Sequence, residues 1–106
     1  MIGAAPTDIH AQTEARVAAR RRVDIRALVR EAGSARVDID IVDLSATGFR
    51  FESFNDFATG ARVFLSIPSL QPLEAVIAWR KRNQFGCRFV NPLHVAVFDT
   101  IAARFG

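Results

Sequence analysis

At 106 residues, half of them hydrophobic, the chain holds a single domain with a real core, and its ordinary charge fraction excludes global disorder. No apolar run approaches the length of a membrane span, and the first residues lack the basic start and apolar block of a secretory signal. The net charge is only +3, yet Lys81 is the sole lysine among 14 basic residues, and Cys87, the only cysteine, excludes an internal disulfide and suits a reducing cytosol.

In chain order, residues 1–22 have weak periodicity and read as a mobile arm ahead of a domain over 23–106. Arg16, Arg20, Arg21, Arg22, Arg26 and Arg30 crowd this stretch and the strand after it, with Asp24 the only acid between Arg16 and Arg30. A genome that favours arginine explains the missing lysines but not the clustering, so the segment reads as anion-binding. Val23 to Arg30 alternates apolar and polar residues, as does Arg36 to Val42, with a turn at Gly33 between them. Phe49 to Ser53, Ala61 to Ile67, Leu73 to Arg80 and Phe85 to Val90 complete six strands, the last two a hairpin around Lys81 to Gln84. Strict alternation puts Trp79 on the face of Ile77, Ala75 and Leu73, buried; a place at the barrel rim would leave its ring open. The period then changes. Asn91 as N-cap and Pro92 at the first helical position open a helix whose stripe is Leu93, Val97, Ile101 and Phe105, with Phe98 and Ala102 alongside. The pattern predicts a mainly β fold: a small six-stranded antiparallel barrel with a C-terminal helix.

Catalysis finds no constellation. His10 and His94 are far apart, no histidine or cysteine pair has metal-ligand spacing, and Ser45 has an acid two residues away but no base near it. There is no P-loop glycine pattern. A binding protein without metal, cofactor or enzymatic activity is expected. Between the second and third strands lies Asp43-Leu-Ser45-Ala-Thr-Gly48. On the residues alone this segment builds an Asx- or Ser-type turn, contacts a ligand, or does both.

The arginine cluster leading into the first strand, the D-x-S-x-x-G segment after the second, and the hairpin "AVIAWRKRNQFGCRFV" before a terminal helix together resemble the PilZ domain, the bacterial receptor module for cyclic di-GMP. The resemblance runs from about Arg16 onward. Its signature joins R-x-x-x-R to [D/N]-x-S-x-x-G. Asp43, Ser45 and Gly48 match the second half. Arg16 with Arg20, Arg22 with Arg26, and Arg26 with Arg30 all fit the first half. The family places the second arginine just ahead of the first strand, which selects Arg16 and Arg20, with Arg21 and Arg22 as helpers and Arg22 a possible primary contact.

The resemblance implies cyclic di-GMP as ligand. Guanidinium groups of Arg16 and Arg20 suit its phosphates and the O6/N7 edge of guanine. Asp43 would accept from guanine N1–H and N2–H₂, Ser45 would donate to a phosphate or base, and Gly48 would permit a positive φ or close approach of ligand. Trp79 or an arginine plane would stack a base. Ordering of the arm on binding, and a protein partner that reads it in the cytoplasm, are the implied output. The alternative is a small barrel binding single-stranded nucleic acid, against which Asp38, Asp40 and Asp43 weigh by diluting the positive charge.

Overall fold

The computed structural model describes residues 20–105. Six strands and one helix follow in order: β1 (Arg21–Glu31), β2 (Val37–Leu44), β3 (Gly48–Glu52), β4 (Arg62–Ser66), β5 (Leu73–Lys81), β6 (Gln84–Phe89) and α1 (Val95–Phe105). The strands close into a barrel in the order β1-β2-β3-β6-β5-β4, with every neighbouring pair antiparallel. This is the expected architecture. Closure leaves no unpaired strand edge to template aggregation. Of the arm expected over residues 1–22, positions 1–19, Arg16 among them, lie outside the described residues.

Alternation fills the interior. Ile25, Ala27 and Val29 of β1, Ile39 and Ile41 of β2, Phe49 and Phe51 of β3, Val63 and Leu65 of β4, Ala75 and Ile77 of β5, and Phe85 and Phe89 of β6 are all buried. Phe51 and Phe85 stack with centroids 5.0 Å apart, and Phe57 meets both edge-on at 5.6 and 5.3 Å. Burying each such ring contributes about 1.5–3 kcal/mol. Cys87 is buried among them, and burial pushes its thiol up to about 12, which makes it inert.

Most boundaries shift from the sequence reading by a residue or more, and three of the shifts matter to the site and the helix. β1 begins at Arg21 rather than Val23, so Arg21 and Arg22 are strand residues paired with the end of β2. β2 runs on to Leu44 and takes Asp43 into the sheet. The helix starts at Val95, and its cap is His94, whose Nδ1 accepts from Ala96 N–H at 3.1 Å. Asn91 and Pro92 precede it in irregular chain. The delay has a cause: Leu93 is buried, and its N–H donates to Ala46 O at 2.7 Å, which holds the chain against the barrel until His94. The packed face of α1 is Phe98, Ile101, Ala102 and Phe105, whereas Val97, expected inward, is exposed on the overhanging first turn. Among the described residues no helix is long and apolar enough to cross a membrane.

Candidate functional site on the outer barrel face

Ser45 to Gly48 turn β2 into β3. Ser45 N–H donates to Gly48 O at 2.9 Å. Neither Ala46 nor Thr47 has a positive φ, so this is not the primed turn that two-residue hairpins favour. The Ser45 hydroxyl holds it instead, accepting from Thr47 N–H and Gly48 N–H, both at 3.2 Å, and lying 3.3 Å from Gly48 O and 3.2 Å from Thr47 Oγ1. Ser45 is buried, and its oxygen is engaged inside the turn. The turn is also tied to the end of the chain, with Phe89 N–H donating to Thr47 O at 2.9 Å and Leu93 N–H to Ala46 O. Gly48 does not use a positive φ. A Cβ there would collide with the Cys87 carbonyl oxygen, so glycine is required by the approach of β6.

Register then aligns a row across five strands: Arg22 of β1 opposite Asp43 of β2, Asp43 opposite Arg50 of β3, Arg50 opposite Gly86 of β6, and Gly86 opposite Trp79 of β5. Three register shifts flank this row, between Arg22 and Ile25, between Ile41 and Asp43, and between Ile77 and Trp79. Each inserts one extra residue, and a one-residue insertion flips the side chains beyond it to the other face. Ile41 therefore points into the core while Asp43 joins Arg50 outside, and Ile77 is buried while Trp79 is 39 % exposed. Strict alternation would have pointed both Asp43 and Trp79 into the core; the shifts turn both to the outer face. The Trp79 indole lies over Gly86, where any Cβ would strike the ring. Asp43 is 7 % exposed and ion-pairs through Oδ2 with Arg50 Nη2.

Compared with known protein families, the chain matches PilZ domain over residues 14–103. The chain belongs to the PilZ domain family. That family is generally a cyclic di-GMP-binding module. No curated protein matches the chain.

In this PilZ barrel Arg22, Asp43 and Trp79 lie along one register row, and Ser45 and Gly48 stand in the turn beside Asp43. Arg20 stands exposed immediately ahead of β1, Arg21 is opposite Leu44, and Arg22 is opposite Asp43. Arg16 lies outside the described residues. Arg26 behaves differently: its guanidinium bonds both Asp40 oxygens at 3.0 and 3.2 Å, and that pairing raises its pKa. It belongs to a second outer row, Arg26, Asp40, Glu52, Gln84 and Lys81, where Gln84 Nε2 also donates to Glu52 Oε2 at 3.2 Å. Two acids balance two bases there. The first row has two arginines to one acid, with Arg20, Arg21 and Arg88 beside it, and Arg88 pairs with Gly48. Positive potential therefore concentrates on the row that holds the motif acid.

Sequence reasoning missed Arg50, Gly86 and Arg88. The signals were there: Arg50 is the polar residue between inward Phe49 and Phe51, and a glycine inside a strand marks a close approach. Among the described residues no group of three or more His, Cys, Asp or Glu side chains is arranged to hold a metal.

Proposed function

We propose that this chain is a cyclic di-GMP receptor that binds without metal, cofactor or hydrolysis. The observation that carries the reading is the register that sets Arg22 against Asp43 at the arginine-rich entry to β1, with Trp79 open on the same face. Arg16 and Arg20 grip phosphates and guanine O6/N7 edges, and Arg21 and Arg22 add charge and reach. Asp43 accepts from the opposite guanine edge, and Trp79 offers its exposed ring to a base. Ser45 and Gly48 contribute through the turn they build beside Asp43. Binding draws the segment ahead of β1, which carries Arg16 and Arg20, across the barrel next to Asp43 and Ser45. The new surface is read by a protein partner in the cytoplasm. Single-stranded nucleic acid gains less support, because Phe49, Phe51, Phe57, Phe85 and Phe89 are buried and unavailable for stacking.

Titration calorimetry with cyclic di-GMP at moderate salt tests this. Saturable binding is expected, and Arg20→Ala should weaken it about tenfold or more, since hydrogen bonds to charged groups are worth roughly 1.5–3 kcal/mol. Arg16→Ala should do the same. Affinity no better than for a linear dinucleotide of equal charge, or linearised product on chromatography, overturns the reading. Loss of binding only with Arg22→Ala and Arg26→Ala would move the motif along the chain. Amide exchange with and without ligand checks the arm: protection should rise at 16–22 and 43–48 and stay constant in α1.

A further inference from the structure

Arg50 occupies the centre of the row, between the Asp43 carboxylate on one side and Gly86 with its overlying Trp79 on the other. Its Nη2 pairs with Asp43 Oδ2, and its side chain is 28 % exposed. Its Nε–H is buried and has no hydrogen-bond partner. A guanidinium that braced the barrel would have its buried donors filled, because an unmet buried donor is costly. Arg26 in the neighbouring row shows the braced form, bonding both oxygens of Asp40. Arg50 instead pins a single oxygen of an acid that is nearly buried. Pinning Oδ2 fixes the carboxylate plane and hence the direction of its remaining lone pairs.

We propose that Arg50 is a positioning residue that sets base preference. The proposal rests on the receptor reading above and adds to it. Arg50 holds Asp43 so that the carboxylate meets guanine N1–H and N2–H₂ together. Adenine has an acceptor at N1 and no amino group at C2, so a carboxylate held in that direction faces a lone pair and rejects it. A site built to bond particular donors discriminates strongly against an analogue that lacks them. A carboxylate free to rotate would accept from whatever donor arrives, and the preference would fall. Phosphate recognition by the other arginines is unaffected by the identity of the base.

The test is calorimetry of the full chain and of Arg50→Met with cyclic di-GMP and with cyclic di-AMP, which shares the phosphates and ring. The full chain should prefer cyclic di-GMP. Arg50→Met should lose about tenfold or more of that affinity, the scale of one bidentate base contact, while affinity for cyclic di-AMP changes little. Arg50→Lys should restore part of the preference, because an ammonium still reaches the carboxylate without the planar fork. In an Asp43→Ala background Arg50→Met should have no further effect on the preference. An unchanged preference, an equal loss for both ligands, or additivity with Asp43→Ala overturns the role. If Arg50→Met loses its fold by circular dichroism, Arg50→Gln replaces it with the same expected outcomes. A chain that binds neither ligand removes the receptor reading along with this one. A chain that prefers cyclic di-GMP and is indifferent to Arg50 removes this one alone.

Discussion

Gly48 and Gly86 fill the same need for a missing Cβ against different neighbours, and the difference decides what alanine would do. At Gly48 the obstacle is the Cys87 backbone carbonyl, which cannot move without parting β3 from β6. Gly48→Ala should therefore lower stability by about 1–3 kcal/mol, the usual cost of overpacking. At Gly86 the obstacle is the Trp79 indole, a side chain partly in water that can swing aside. Gly86→Ala should leave the thermal midpoint nearly unchanged but shift the emission of Trp79, the only tryptophan, and weaken ligand binding. Thermal unfolding followed by fluorescence separates the two; the reverse ranking would contradict the geometry. Asp43 and Asp38 make a second contrast on one strand. Asp43→Ala leaves Arg50 without its partner and should cost about 1–3 kcal/mol in stability as well as ligand affinity. Asp38 is exposed, and Asp38→Ala should stay within about 0.5 kcal/mol and bind normally. Denaturant titration and calorimetry on both variants check this.

At the scale of the element, α1 depends on a histidine for its start. His94→Ala removes the acceptor for Ala96 N–H and should cost about 0.5–2 kcal/mol, whereas His94→Asn keeps a capping oxygen and should recover most of it. Thermal midpoints of the two variants decide the matter, and equal losses would mean that the stability does not come from the capping acceptor. The cap was not legible because Asn91 and Pro92 carry the stronger local signal, and only the tertiary bond from Leu93 to Ala46 delays the helix. The strands were legible because a stretch of period-two alternation survives in every one of them. The faces of Asp43 and Trp79 were not, because an extra residue inside a strand leaves no mark in composition. Val42 and Ala78, the residues inside those shifts, look like ordinary strand members. What could be read was the motif itself; what could not was that three register shifts line Arg22, Asp43 and Trp79 along the outside of the barrel.

For the molecule as a whole, every strand of the closed barrel and the helix that packs on it lie within residues 21–105. A chain beginning at Arg20 should therefore fold cooperatively with a thermal midpoint close to that of the full chain. It lacks Arg16, so its affinity for cyclic di-GMP should fall about tenfold or more, the loss expected for one charged contact. Circular dichroism melts paired with calorimetry test both halves. A truncated chain that melts much earlier would show that residues 1–19 belong to the folding unit, and one that binds as well as the full chain would take Arg16 out of the site.

The hydrogen bonds that fasten the turn carrying Ser45 and Gly48 to the final segment are main-chain ones, between the carbonyls of Ala46 and Thr47 and the amides of Leu93 and Phe89. Every amino acid brings a carbonyl, and all but proline bring an amide hydrogen. The fastening is thus inherited by any descendant that keeps the register, whatever letters stand at those positions. Comparison of residue identities cannot detect it, and drift at Ala46 or Thr47 leaves the acceptors in place. Proline at position 89 or 93, or an ester in place of the peptide bond there, would remove one of these two fastenings.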